Sequence, residues 1–351
     1  MVIDRRGFLV LSAVGAAAGV VGACSPRAKP ASAAKTVNVA FEPAETEIDL
    51  GGVSVRTWAY GGQLPGREIR IRKGETLRAQ VSNTLPRDTT IHWHGLAIPN
   101  DMDGVPVLTQ QPIPAGQGFT YEWVAPDTGT YWFHSHVGTQ LDRGLYGPLI
   151  IEDPNERAGY DDELVVVLDD WIDGTGTDPD QVLEKLRKAG MKPMAPGGPG
   201  VTPTSPLGAD GGDVIYPYFL INGRVPADPQ VVDYRAGQRV RLRVINAGSD
   251  TAFRIAVPDT VLNVTHTDGY PVVPTQTNSV ILGMGERVDA TITVGASAPV
   301  IAAPEGKQGH AQLNLRVNAA PSAVNIDDFV LVAKTQVSAS ANAPTTSWMT
   351  V

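Results

Sequence analysis

The stretches HWHG (residues 92–95) and GTYWFHSH (residues 129–136) contain four of the six histidines of this chain. On a β-strand, side chains at i and i+2 point to the same face, roughly 6–7 Å apart. The two histidines of each pair would therefore share a face. Two such strands side by side would bring four imidazoles to one point, and imidazole-rich sites suit copper, zinc, iron or nickel.

The sequence around these motifs alternates apolar and polar residues, as half-buried β-strands do. Residues 36–41, 69–72, 77–81 and 119–123 follow this pattern, with Gly, Pro, Asp and Asn between the runs. The pattern predicts an antiparallel β-sandwich over residues 36–155. Strand-like runs resume with the apolar LVVVL at residues 164–168, and they predict a second, similar sandwich.

A single helix is predicted inside the second sandwich. Asp178 is suited to be its N-cap, Pro179 its first residue, and Gly190 its end. A Gly/Pro-rich loop follows at residues 191–212.

Length and charge limit the function. The 351 residues suffice for two domains, and 42% hydrophobic with 19% charged residues is typical of a globular protein. The formal net charge of −9 argues against nucleic acid as a partner, because phosphate binding needs a basic surface.

The N-terminus has the features of an export signal. A twin-arginine start at residues 5–6 precedes an uncharged run at residues 8–23, which is shorter than the ~20 residues of a membrane span. The sequence VGAC then ends at Cys24, which has the position of a lipidated cysteine. Residues 1–24 are therefore predicted to be a twin-arginine lipoprotein signal, with an uncleaved anchor helix as the alternative. Residues 25–35 would tether the protein to the periplasmic or extracytoplasmic face of the membrane.

The histidine motifs, with DGVP at residues 103–106 between them, resemble the first cupredoxin domain of multicopper oxidases. LDDW at residues 168–171 and LINGR at 220–224 are similar to the second domain of bacterial laccase-like members, as are RVINA at 243–247 and THTDG at 265–269. The resemblance implies an all-β fold of two cupredoxin-like Greek-key β-sandwich domains, at residues 36–155 and 160–318.

The same resemblance implies copper as the cofactor and a role for each paired histidine. His92 matches a ligand of the type 2 copper. His94, His134 and His136 match ligands of the type 3 copper pair. In the family these coppers form a trinuclear cluster that reduces dioxygen to water with electrons from a reducing substrate, such as a phenol or a metal ion.

Three further residues near the ligands match family positions. Asp103 matches an acidic residue that helps to move protons to bound oxygen, although an Asp before a Gly is also a common turn former. Trp93 and Trp132 would pack around the ligand-bearing strands.

The family pattern is incomplete in this sequence. The remaining cluster ligands and the cysteine of the type 1 copper belong to a third domain in the family. The sequence has no His-x-x-His-x-His or His-Cys-His run, its only cysteine is Cys24, and His266 and His310 are unpaired. Residues 319–351 are therefore interpreted as a linker toward a missing third domain.

Two hypotheses follow from this departure. In the first, the chain is a multicopper oxidase seen without its third domain, as a fragment or the product of a truncated or frameshifted gene, and is inactive alone. In the second, it is a complete, non-enzymatic copper-binding or scaffold lipoprotein of the cell envelope. A variant of the second has a separate chain that supplies the missing domain in trans.

Overall fold

The computed structural model describes residues 35–156, 159–190 and 211–317. The predicted signal, nearly all of the tether and of the Gly/Pro-rich loop, and the predicted linker lie outside these residues. Within them, no helix has the length and apolar character needed to cross a membrane.

The first domain is a sandwich of two small sheets with an attached hairpin. Its sheets have the strand orders β1-β5-β7 and β4-β9-β8-β6, and β2 pairs with β3. The strands are β1 (Thr36–Phe41), β2 (Pro43–Asp49), β3 (Ser54–Tyr60), β4 (Ile69–Arg72), β5 (Thr76–Ser82), β6 (His92–His94), β7 (Gly118–Val124), β8 (Gly129–His134) and β9 (Tyr146–Glu152). Aromatic rings fill the core. The ring centroids of Trp93 and Trp123 lie 5.2 Å apart in an edge-on contact, and those of Phe41 and Phe133 lie 5.1 Å apart.

The second domain packs a six-stranded sheet on a five-stranded one. The sheet orders are β11-β10-β13-β18-β15-β16 and β12-β20-β19-β14-β17. The strands are β10 (Asp162–Trp171), β11 (Tyr218–Ile221), β12 (Val231–Tyr234), β13 (Gln238–Asn246), β14 (Phe253–Ala256), β15 (Leu262–Thr267), β16 (Tyr270–Thr277), β17 (Ser279–Leu282), β18 (Arg287–Val294), β19 (Ala298–Pro304) and β20 (Ala311–Val317). The all-β prediction is confirmed, and aliphatic side chains supply most of this second core.

The antiparallel pairing predicted for the first domain is wrong for two strand pairs. β1 pairs with β5 in parallel, and so does β4 with β9. Between the two strands of each parallel pair, the chain passes through strands of another sheet. Parallel pairing requires a crossover of this kind. Alternation of apolar and polar residues shows which face of a strand is buried, and it carries no information on strand direction.

The predicted helix is confirmed as α1 (Pro179–Ala189). The Asp178 side chain accepts a hydrogen bond from the Gln181 amide at 3.0 Å, and Gly190 ends the helix with φ 67°. Asp180, in the first turn, accepts hydrogen bonds from Thr139 and Arg143 of the first domain. The helix is thereby fixed to the loop that follows the second histidine pair.

The two sandwiches share a buried apolar contact. Trp132 of β8 and Tyr146 of β9 form one cluster with Val167, Ile245 and Ala247 of the second domain. The strand that carries His134 therefore has the second domain as part of its packing.

Buried polar contacts reinforce this junction. The Thr130 hydroxyl of β8 donates to Asp289 Oδ1 at 2.6 Å and accepts from Arg243 Nη1 at 3.0 Å. All three residues are buried, so the ion pair between Arg243 and Asp289 is desolvated and tied to the first domain through one hydroxyl. Such a network is rigid because each group depends on the others for its hydrogen bonds.

Candidate metal centre

The β6–β8 pairing brings three of the predicted ligands to one face. β6 and β8 are antiparallel neighbours, with His92 opposite His134 and His94 opposite Trp132. Directly opposed residues of a β-ladder project to the same side of the sheet. His92, His94 and His134 therefore lie together, as the i, i+2 spacing of the first pair predicts.

The second histidine pair departs from the simple strand geometry. β8 ends at His134, so His136 lies in the segment beyond the strand. Its ring centroid is nevertheless 5.5 Å from that of His92 and 5.9 Å from that of His134. The structure thus brings all four histidines together, with His136 placed by the turn of the chain after β8.

The imidazole nitrogens are close enough to share a metal ion. His92, His94 and His134 each offer one ring nitrogen, and these three atoms lie within 4.8 Å of one another. His94 Nδ1 and His134 Nε2 are 3.3 Å apart.

Backbone carbonyls determine which nitrogen each ring presents. His92 Nδ1 donates to the Asp103 carbonyl at 2.8 Å, and His134 Nδ1 donates to the Ser135 carbonyl at 2.8 Å. Both rings therefore carry their lone pair on Nε2, and the Nε2 of His134 is hydrogen-bonded to His94 Nδ1 at 3.3 Å. Such hydrogen bonds fix the tautomer and ring orientation of metal-binding histidines.

Burial keeps these imidazoles neutral. It lowers the pKa of His92, and it lowers the pKa of His134 to about 3. Burial, followed by the positive charge of Arg287, lowers the pKa of His94 to about 3. Neutral imidazole is the form that binds metal, so the donor set is available at neutral pH and fits copper.

Asp103 lies beside His92, as expected for a residue of the site. Its Oδ1 atom is 3.4 Å from His92 Nδ1, in addition to the hydrogen bond that its carbonyl accepts. Asp103 also ends the short 3₁₀ turn Asn100–Met102, and Gly104 follows it with φ 78°. The turn-forming and the site-facing interpretations are therefore compatible in this structure.

The two tryptophans pack on opposite sides of the ligand strands. Trp132 stacks on His94, with ring centroids 4.8 Å apart, and on His134, at 4.4 Å. Trp93 is fully buried in the core of the first domain. One indole thus supports the imidazole rings, and the other holds β6 on the sandwich.

Sequence reasoning missed the glycines that allow close approach at the site. A Cβ at Gly104 would lie 1.8 Å from the Ile91 carbonyl oxygen, and one at Gly285 would lie 2.8 Å from His94 Cε1. A Cβ at Gly95 would lie 2.3 Å from Arg287 Nη2. Gly95 and Gly104 belong to the motifs HWHG and DGVP, but Gly285 and Arg287 come from the second domain, and no spacing in the sequence predicts their contact.

Fold and site together define an all-β protein of two sandwiches with a histidine-rich metal centre. Sequence models described as multicopper oxidase match residues 43–156 and 162–301. The chain belongs to the multicopper oxidase family, and membership implies copper as the cofactor.

Similar proteins agree with this assignment. The multicopper oxidase MmcO of Mycobacterium tuberculosis is 42% identical over 340 residues, covering 90% of this chain and 66% of its own length. Copper resistance protein A of Pseudomonas syringae pv. tomato is 32% identical, covering 86% of this chain and 55% of its own. The chain thus spans about half to two thirds of these relatives.

Solved structures show the same fold. The multi-copper oxidase from Pseudomonas thermotolerans is 30% identical with a TM-score of 0.64, over 83% of this chain and 66% of its own. The blue copper oxidase from Nitrosomonas europaea is 26% identical with a TM-score of 0.64, over 81% of this chain and 86% of its own.

Proposed function

We propose that this chain binds copper through His92, His94, His134 and His136 and contributes half of a trinuclear copper site. The observation that carries the proposal is the convergence of three neutral imidazole nitrogens within 4.8 Å. Four ligands are too few for three copper ions. The remaining ligands, and the cysteine of a type 1 copper, would come from a further cupredoxin domain, which a separate chain could supply in trans.

The proposed reaction is the four-electron reduction of dioxygen to water, coupled to one-electron oxidation of a phenolic or metal-ion substrate. Bound copper would supply electron transfer from that substrate to dioxygen. The chain's histidines would hold the metal in a fixed geometry. The Asp103 carboxylate, 3.4 Å from His92 at the partly exposed edge of the site, would pass protons inward.

We further propose that the protein works outside the cytoplasm. The twin arginines at residues 5–6 would direct export, and a lipid on Cys24 would hold the protein on the outer face of the membrane. Mass spectrometry of the membrane fraction tests this: diacylglyceryl on Cys24 is expected, and an unmodified N-terminus on a cytoplasmic protein contradicts it.

Copper stoichiometry tests the site. The wild-type chain, loaded with Cu(I) and desalted, should retain copper at fewer than three ions per chain. After air oxidation of the bound copper to Cu(II), it should show no blue band, because that band needs Cu(II) bound to a cysteine thiolate, and it should show no oxidase turnover on a phenolic dye.

A matched pair of variants separates the site from adventitious binding. His94→Ala removes a proposed ligand, whereas His266→Ala removes a half-buried histidine that contacts Thr265 and Arg241 instead. We expect copper loss in the first variant only. Equal retention in both variants would refute the site. Oxidase turnover by the chain alone would refute the need for a further domain. If the chain binds copper but shows no turnover after a cupredoxin domain is added, the scaffold function is favoured.

A further inference from the structure

Arg287 is a buried guanidinium at the point where the second domain meets the ligand-bearing strands. It is 5% exposed, at the start of β18. Its charge is balanced on one side by Asp268, whose Oδ1 is 3.2 Å from Nη1, and its guanidinium lies 5.8 Å from the Tyr131 ring centre. An arginine this buried is retained in a fold only with such compensation.

The guanidinium contacts both ligand-bearing strands. Arg287 Nε donates to the Thr130 carbonyl of β8 at 3.3 Å. Gly95, directly after β6, lies so close that a Cβ there would be 2.3 Å from Arg287 Nη2. The same side chain therefore touches the strand of His134 and the end of the strand of His92 and His94.

Arg287 also holds the backbone that packs on His94. Its Nη1 donates to the Gly285 carbonyl at 2.9 Å. Gly285 has φ 81°, and a Cβ on it would lie 2.8 Å from His94 Cε1 and 3.1 Å from Nε2. The Nε2 edge of His94 is thus confined by Gly285, which leaves Nδ1 as the nitrogen that faces His134.

We propose that Arg287 is a positioning residue that sets the orientation of the His94 imidazole from the second domain. This inference rests on the proposed copper site. Arginine suits the task because a planar fork reaches several carbonyls in different directions, whereas lysine offers one point charge.

The test compares Arg287→Lys with Arg254→Lys in the 351-residue chain. Arg254 is also 5% exposed and in the second domain, but its partners Glu305 and Ser279 are remote from the ligand strands. Cu(I) affinity is measured by competition with a chromophoric chelator. Imidazole ¹⁵N spectra of the metal-free chain report the orientation of His94 without copper.

We expect Arg287→Lys to weaken Cu(I) binding by roughly 10- to 100-fold, the usual effect of losing a group that orients a ligand. The His94 ¹⁵N signals should shift, and Arg254→Lys should change neither. Asp268→Ala, which removes a half-exposed partner of Arg287, should act in the same direction with a smaller effect and remains informative if Arg287→Lys does not fold.

Unchanged His94 signals in Arg287→Lys, or an equal affinity loss in Arg254→Lys, would overturn the positioning role. Absence of Cu(I) binding by the wild type would instead overturn the proposed function, while the spectra of the metal-free chain would still decide the role of Arg287.

Discussion

Adding one methyl group at Gly104 tests how the turn after the first histidine pair holds His92. In the Gly104→Ala variant, the new Cβ would start 1.8 Å from the Ile91 carbonyl oxygen. An ordinary contact needs about 3.4 Å, so the turn must move by about 1.6 Å. The 2.8 Å hydrogen bond from His92 Nδ1 to the neighbouring Asp103 carbonyl cannot survive a movement of that size.

The expected cost has two parts. Alanine in the left-handed conformation of Gly104 (φ 78°) costs roughly 1–2 kcal/mol. Loss of the hydrogen bond adds roughly 0.5–1.5 kcal/mol. We therefore expect a loss of about 1.5–3.5 kcal/mol in the free energy of unfolding. We also expect a Cu(I) affinity lower by roughly tenfold or more, because His92 loses the acceptor that orients it.

Gly74→Ala is the matched control. Gly74 has φ 84°, and nothing lies within 4 Å of a Cβ placed there. The Gly74→Ala variant should lose only the free energy needed to hold alanine in the left-handed conformation, and it should keep its copper affinity. Urea denaturation and chelator competition measure both quantities. Equal unfolding free energies in the two variants, or an unchanged copper affinity in Gly104→Ala, would refute the reasoning.

Two further predictions concern the junction of the domains. Thr130→Val removes the hydroxyl that joins Asp289 and Arg243 to β8, and it should lower the free energy of unfolding by roughly 1–3 kcal/mol. A change under about 0.5 kcal/mol in urea denaturation would contradict the role of that hydroxyl. Burial, with Asp170 and Asp250 nearby, raises the pKa of Asp142 to about 7 from 3.8, although the Ser249 and Tyr216 hydroxyls that donate to it oppose the rise. The stabilisation of the fold by the neutral form of Asp142 is complete below about pH 4 and is lost as the pH rises through 7. Asp142→Asn should therefore be more stable than the wild type above pH 7. Identical pH profiles of thermal unfolding for the two proteins would refute this.

Local sequence signals predicted the elements of the fold well. The helix was predictable because Asp178, Pro179 and Gly190 each act on adjacent backbone atoms. Strands such as Thr76–Ser82 were predictable because the alternation of apolar and polar residues records which face is buried. The parallel β1–β5 and β4–β9 pairs were not, because strand direction depends on crossovers through distant segments.

Some features of the site were likewise predictable from the sequence, and others were not. The i, i+2 rule placed His92 and His94 on one face, and the resemblance supplied Asp103. Gly285 confines His94, and Arg287 reaches both ligand strands. Both effects arise from contacts between residues of different domains, at least 157 positions apart in sequence. No pattern in a single sequence records such a contact.

Anomalous diffraction at the copper edge, from crystals of the chain loaded with copper, tests the central claim most directly. We expect copper peaks at bonding distance from His92 Nε2, His134 Nε2 and His94 Nδ1. A copper peak elsewhere, with these three nitrogens free of metal, would contradict it.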